Sequence, residues 1–179
     1  MITTATAWVG LGANLGRRWE ALARARAALL AEPPGVILEA VSREVLTRAV
    51  GLRRQPDYHN QVVRIRACRG LTALQWLQLC QAAEGRAGRR PTYRWGPRRV
   101  DIDILLLGER GELIIPEAAV TVPHPRLGER PFFCALLSEL DPNLAHPAGW
   151  RFADRAGLFV HTTETAGRAG AAGLGRMAR

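Results

Sequence analysis

Two aspartates inside an apolar strand constrain this chain more than any other feature of the sequence. The segment Val100–Leu107 reads VDIDILLL, which predicts a buried strand. Because successive strand side chains point to opposite faces, Asp101 and Asp103 share one face, about 7 Å apart. Two unpaired carboxylates at the end of a buried strand would be costly without a cation.

Two kinds of cation can neutralise these carboxylates. Magnesium takes a few carboxylate ligands and fills its other positions with water and phosphate, so the pair could hold one or two ions against a triphosphate. Alternatively, each aspartate pairs with an arginine, because all 25 basic residues are arginine and the net charge is +9. The spacing alone leaves both explanations open.

The hydrophobic pattern around this strand predicts an α+β domain. Four segments have strand patterns: Thr6–Gly12, Val36–Leu46, Tyr58–Arg66 and Val100–Leu107. Two segments between them have helical patterns: Trp19–Leu30 and Leu71–Ala83. This β-α-β-β-α-β order predicts a ferredoxin-like sandwich, with an antiparallel sheet and both helices on one face. C-terminal additions follow, including a helix near Pro131–Leu140.

The same pattern predicts one domain over residues 1–152. From residue 153 the sequence is small, polar and basic, which predicts a disordered basic tail over residues 153–179. We see no apolar run of membrane-spanning length, no secretory signal and no paired cysteines. We therefore expect a cytoplasmic protein that does not bind membranes, and we further expect a monomer.

An arginine-rich loop leads into the aspartate strand. Glu84–Arg98 has little apolar content and two prolines, which predicts a mobile surface loop. Its guanidinium groups could grip phosphate oxygens and close over a polyphosphate, or the loop could simply be solvated. Trp95 could stack on a base or anchor the loop. Gly10–Gly16 (GLGANLG) lacks GxGxxG spacing, so we interpret it as a structural turn.

Some side chains suit a flat heterocycle beside this charged region. Tyr58 and Asn60 share a strand face, and an asparagine amide can hydrogen-bond the edge of a heterocycle. Phe132 could stack on a ring, and His124, between two prolines, could contact phosphate. Each of these residues taken alone is more often structural.

Four segments together resemble the 6-hydroxymethyl-7,8-dihydropterin pyrophosphokinase family. In chain order they are GLGANLG, QPDYHNQV, RWGPRRVDIDILLLG and VPHPRLGERPFF. The resemblance implies the ferredoxin-like fold. It also implies transfer of pyrophosphate from ATP to the pterin's hydroxymethyl oxygen, with release of AMP, in folate biosynthesis.

The resemblance further implies roles for particular residues. Asp101 and Asp103 would hold two magnesium ions, and Arg89 and Arg98 would lie closest to the transferred group. Contacts to the pterin would come from Thr47, Val50, Tyr58, Asn60 and Phe132. Contacts to the co-substrate ATP would include Gln81, Glu84, Arg90, Trp95, Arg98, Ile104, Thr121, His124 and Arg130.

Some positions depart from the family's pattern. Arg48 stands where a proline is common, and a slightly short loop between Glu84 and Trp95 means that Arg89 and Arg90 could exchange roles. Two other functions are open: a binding protein without catalysis, and an RNA-binding module of the same element order. The latter lacks an exposed aromatic run and gives no reason for the aspartates, so we expect no nucleic-acid partner.

Overall fold

A five-stranded antiparallel sheet forms the centre of the fold. The computed structural model describes residues 2–31, 34–49, 55–93 and 96–157. The strands are β1 (Thr3–Ala13), β2 (Val36–Val41), β3 (Val45–Thr47), β4 (Tyr58–Thr72) and β5 (Asp101–Leu107). Their order is β2-β4-β1-β5, with β3 also paired to β4, and every pairing is antiparallel. The α+β class and the antiparallel sheet are confirmed, while the ferredoxin-like assignment stays a prediction.

Helices and short elements surround this sheet. The helices of the described residues are α1 (Arg18–Ala31), α2 (Ala73–Arg86), α3 (Pro131–Leu140) and α4 (Phe152–Ala156). A separate two-stranded sheet pairs β6 (Ile115–Pro116) with β7 (Thr121–Val122), and a 3-10 turn covers Leu127–Glu129. None of the described helices is both long and apolar enough to cross a membrane.

Alternation along β1 divides the core into two layers. Val9 and Leu11 are fully buried and pack with residues of α1 and α2. Trp8 points to the opposite face, where it packs with residues of α3 and α4. Because both sets of β1 side chains are apolar, both faces of the sheet can be covered by helices.

Ser42 divides a segment that was predicted as one strand, Val36–Leu46. Its backbone N–H donates to the Val62 carbonyl oxygen (2.9 Å), and its hydroxyl accepts from the Val62 N–H (2.9 Å). A serine side chain that takes over a ladder hydrogen bond interrupts regular pairing. The segment therefore forms β2 and β3, which pair with different parts of β4.

The interpretation of Gly10–Gly16 as a structural turn is wrong for its first half, where the strand predicted over Thr6–Gly12 is confirmed. Gly10 and Gly12 lie within β1, where they pair with both β4 and β5. The chain turns only after Ala13, and Gly16 adopts a φ of 66° that favours glycine. The glycines in the strand therefore need another explanation, which the site provides.

Helix α4 spans the predicted boundary at residue 152. Phe152 begins α4, which ends at Ala156, and its side chain is fully buried in the layer that contains Trp8. The rest of the predicted tail, residues 158–179, lies outside the described residues. The division of the chain into residues 1–152 and a tail stays a prediction.

Replacing Phe152 by alanine tests whether α4 belongs to the folded domain. We expect the free energy of unfolding in urea to fall by about 3–5 kcal/mol, because the substitution leaves a cavity in the core. The matched control is Ile37→Ala, since Ile37 is 55% exposed and its truncation should cost little. Equal stabilities of the two variants would show that α4 does not contribute to the core.

Candidate functional site

A cavity of about 370 Å³ opens on the sheet face that carries α3. Its lining includes residues of β1, β3, β4 and β5 together with Arg126, Glu129, Arg130, Phe132 and Phe133. The cavity brings together eight of the predicted site residues: Thr47, Tyr58, Asn60, Arg98, Asp101, Asp103, Arg130 and Phe132. Residues separated by up to 85 positions in the chain thus meet at one place, as the functional hypothesis requires.

Two glycines of β1 lie opposite the two aspartates of β5. Gly10 pairs with Asp103 and Gly12 with Asp101. A Cβ atom on Gly10 would lie 2.7 Å from Cζ of Phe133, and one on Gly12 would lie 3.2 Å from Oδ1 of Asn60. The missing side chains therefore leave room for the aromatic ring and for the cavity. Sequence reasoning missed this role, although glycines alternating in a strand are its signal.

The two aspartates are ion-paired with arginines in the structure. Asp101 Oδ1 accepts hydrogen bonds from Nη1 of Arg98 (2.6 Å) and of Arg89 (3.0 Å). Asp103 Oδ2 accepts one from Arg130 Nη1 (2.7 Å). Burial and the nearby Asp103 raise the pKa of Asp101, and the guanidinium groups of Arg98 and Arg89 oppose that rise.

Glu84 is a buried carboxylate that binds Arg89, one of these arginines. It was predicted to start a mobile loop, but it lies inside α2 and is only 7% exposed. Its Oε1 accepts from the Ile102 N–H (2.8 Å) and from Arg89. Burial raises the pKa of Glu84, and those two hydrogen-bond donors oppose the effect. The partners of this carboxylate in the structure are a backbone N–H of β5 and an arginine of the protein itself. The predicted contact of Glu84 with ATP stays a prediction.

Residues suited to a flat ring lie at the other end of the cavity. Asn60 is buried, and its Nδ2 donates to Oγ1 of Thr47 (2.8 Å). Phe132 packs on Phe133 with ring centroids 4.4 Å apart. Burial, followed by the nearby Asp101, raises the pKa of Tyr58, so its hydroxyl stays protonated. This end of the cavity therefore offers aromatic surface beside an amide.

Asn14 links the segment before β4 to the segment before β5, and sequence reasoning missed it. Its Nδ2 donates to Oε1 of Gln55 (3.1 Å) and to the Pro56 carbonyl oxygen (3.3 Å). Its Oδ1 accepts from the Arg98 N–H (2.7 Å). The side chain is 1% exposed, so these bonds form away from competing water. An asparagine just after an apolar strand was its only signal in the sequence.

His124 lies near the acidic pair without lining the cavity. Its Nε2 is 3.9 Å from Oδ2 of Asp103, and its Nδ1 accepts from the Arg126 N–H (3.1 Å). Because Nδ1 is an acceptor, the neutral ring carries its proton on Nε2. Burial lowers the pKa of His124, and the positive charge of Arg130 lowers it further against the opposing effect of Asp103.

Four more predicted ATP contacts lie among the described residues and do not line this cavity. Gln81 belongs to α2, Ile104 to β5 and Thr121 to β7, and both α2 and β7 contact β5 at the edge of the sheet. Arg90 is exposed after α2. The predicted ATP contact Trp95 and the predicted pterin contact Val50 lie outside the described residues. The roles of all six residues in binding stay predictions.

An α+β fold whose cavity combines a carboxylate pair, arginines and aromatic rings is typical of enzymes that act on phosphorylated substrates. Comparison with known proteins gives the family. The model for 7,8-dihydro-6-hydroxymethylpterin-pyrophosphokinase matches residues 8–142, and the chain belongs to this family. The resemblance found in the sequence is confirmed.

Individual relatives agree with this assignment. The 2-amino-4-hydroxy-6-hydroxymethyldihydropteridine pyrophosphokinase of Bacillus subtilis (strain 168) is 35% identical over 154 residues, which cover 86% of this chain and 89% of the relative. The protein of the same name from Synechocystis is 37% identical over 139 residues, 78% of this chain and 68% of the relative. A folate synthesis bifunctional protein of Chlamydia muridarum is 34% identical over 147 residues, and the match covers 30% of that relative.

Replacing Gly10 by alanine tests whether this glycine makes room for the ring of Phe133. The added methyl group would collide with Phe133, which is buried, so we expect a loss of about 1–3 kcal/mol in the free energy of unfolding. The matched control is Gly85→Ala in α2, where a Cβ meets nothing within 4 Å. That control should gain about 0.5–1 kcal/mol. A fully stable Gly10→Ala protein would contradict the packing described above.

Replacing Glu84 by glutamine tests whether burial raises the pKa of this carboxylate, because such a shift makes stability depend on pH. Because folding raises the pKa of Glu84, the associated stability is fully present below the unfolded-state pKa and is lost as pH rises through the folded-state pKa. The unfolding free energy of Glu84→Gln minus that of the wild type should therefore rise between pH 4 and pH 7. Urea unfolding at several pH values measures this difference, and a falling difference would contradict the direction of the shift.

Proposed function

We propose that this cavity transfers the pyrophosphoryl group of ATP to the hydroxymethyl oxygen of 6-hydroxymethyl-7,8-dihydropterin, releasing AMP. Membership of the family supports this reaction, which belongs to folate synthesis. One structural observation carries it: the carboxylates of Asp101 and Asp103 line the same cavity as Tyr58, Asn60 and Phe132. A ring-binding end and a phosphate-binding end therefore adjoin, as the transfer requires.

The pterin lies between the rings of Tyr58 and Phe132 in this proposal. Asn60 donates its amide N–H groups to Thr47 Oγ1 (2.8 Å) and to the Tyr58 carbonyl oxygen (3.5 Å). Its Oδ1 remains to accept a hydrogen bond from an N–H group on the edge of the pterin. Stacking supplies affinity, while the amide orients the ring so that its hydroxymethyl group points toward β5.

The acidic residues fit magnesium that arrives with a nucleotide. Within the described ranges, no group of three or more His, Cys, Asp or Glu side chains is placed to hold a metal. Magnesium is commonly bound by one or two protein carboxylates together with substrate phosphates and water. Asp101 and Asp103 match that pattern, so we propose them as ligands of two ions. When bound, magnesium neutralises phosphate charge and lowers the pKa of the attacking hydroxyl.

The arginines have two possible sets of acceptors in this site. In the ligand-free protein, Arg98 and Arg130 donate to the aspartates at 2.6 Å and 2.7 Å. When ATP binds, their guanidinium groups can exchange these carboxylate oxygens for phosphate oxygens, which they bind equally well in bidentate geometry. Arg89 is held by Glu84 and can stabilise charge on the transferred group. His124 can donate its Nε2–H to a phosphate in the same region.

A product assay tests the proposed function. The protein is incubated with ATP, magnesium and 6-hydroxymethyl-7,8-dihydropterin, and AMP is resolved from ADP. We expect AMP only when both pterin and magnesium are present. Asp101→Asn and Asp103→Asn should lower the rate at least about 100-fold, because charge stabilisation at the phosphates is lost.

The matched control is Asp154→Asn, an exposed aspartate of α4 whose substitution should leave the rate unchanged. ADP as the product would contradict pyrophosphoryl transfer. If folded wild-type protein releases neither AMP nor ADP, the result would favour the alternative, a pterin- and nucleotide-binding protein without catalysis. The monomeric state and the expected lack of a nucleic-acid partner are separate predictions that this assay does not address.

A further inference from the structure

One turn of the chain carries several charged residues of the site. The 3-10 turn Leu127–Glu129 follows His124, and Arg126, Glu129 and Arg130 line the cavity. The backbone N–H of Arg130 donates to the Leu127 carbonyl oxygen (3.1 Å). Leu127 and Gly128 do not line the cavity, so this part of the turn faces away from it. The position of the turn therefore sets the position of Arg130.

A stack of three side chains ends at this turn. The rings of His146 and Trp150 are parallel within 9°, with centroids 4.5 Å apart. The guanidinium carbon of Arg155, in α4, lies 4.2 Å from the centroid of Trp150. Arg155 Nη1 donates to the carbonyl oxygen of Gly128 (3.3 Å).

Gly128 allows the stack to reach the backbone of the turn. A Cβ atom at this position would lie 3.0 Å from Arg155 Nη1 and 4.0 Å from Cζ2 of Trp150. Such a contact to Nη1 is tighter than ordinary van der Waals packing. The guanidinium group therefore fits between the indole ring and the turn because residue 128 has no side chain.

We propose that Arg155 is a positioning residue for the phosphate-binding end of the site. Arg155 contacts the Leu127–Glu129 turn on the side opposite the cavity. The turn positions Arg130, whose Nη1 lies 2.7 Å from Oδ2 of Asp103. This inference rests on the proposed role of Arg130 in binding ATP. Arg155 touches neither of the proposed substrate positions, so its effect is transmitted through the turn.

Arginine suits this place for a physical reason. Its planar group can stack on an indole while its N–H groups donate in the plane, whereas a lysine ammonium does both less well. Phe152, fully buried in the same helix, supplies the main anchor of α4. Loss of the Arg155 side chain should therefore loosen the turn without unfolding the helix.

Steady-state kinetics and binding test the proposal on the full-length chain. We expect Arg155→Ala to raise the KM for ATP and the Kd for a non-hydrolysable ATP analogue about tenfold, since small displacements of contact residues weaken binding. The KM for the pterin should change less than twofold, and Tm should change by only a few degrees. Arg155→Lys should lie between the wild type and Arg155→Ala.

The matched control is Arg151→Ala, at the start of the same helix. Arg151 also donates to a backbone carbonyl, that of Pro142 (2.8 Å), but this carbonyl belongs to a different loop. The control should leave both KM values unchanged. An equal rise in the KM for ATP in both arginine variants would overturn the proposal, because it would show a general effect of α4.

A double-mutant cycle separates this proposal from the one on which it rests. If Arg155 acts through Arg130, Arg155→Ala should have little further effect in an Arg130→Ala background. Fully additive effects on the Kd of the analogue would overturn the positioning role while leaving the role of Arg130 intact. If Arg130→Ala itself leaves ATP binding unchanged, the proposed role of Arg130 fails, and the inference fails with it.

Discussion

The pairing of β1 with β5 is the constraint on which the rest of the site depends. It places Asp103 opposite Gly10 and Asp101 opposite Gly12, so that two carboxylates lie over a backbone without side chains. Antiparallel pairing brings side chains of adjacent strands onto the same face, and glycine is the residue that leaves this face open. The aromatic residues and arginines then have space to surround the acidic pair, and a one-residue change of register would move both aspartates to the opposite face of the sheet.

Charge balance explains how such a site is stable before a ligand arrives. Partly buried carboxylates are stabilised by cationic partners, and in this protein Arg89, Arg98 and Arg130 supply them. The two explanations for the aspartates, ion pairs with arginine and a metal site, are therefore compatible. The first describes the ligand-free protein, and the second describes the state that we propose for the nucleotide complex. In that proposal, the same arginines neutralise the aspartates in one state and bind phosphate in the other.

The sequence predicted the parts of the structure that depend on local pattern. The α+β class and the strand with Asp101 and Asp103 follow from hydrophobic periodicity. Two misses have a common cause, which is that the deciding partner is distant in the chain. Glu84 is buried because Ile102 offers its N–H, and Gly10 faces Phe133 rather than forming a turn. A local pattern cannot distinguish these glycines from turn glycines, since both lack a side chain. The grouping of the cavity residues likewise depends on strand order.

The two-layer core has a consequence for how this protein can change over time. Since Val9 and Leu11 pack with α1 and α2 while Trp8 packs with α3 and α4, the sheet acts as a partition between two cores. Substitutions that reshape the cavity layer disturb packing on that side and leave the other layer as a stable support. Distant, independent sites usually contribute additively to stability. The fold can therefore vary its substrate-facing half while the opposite half keeps the chain folded.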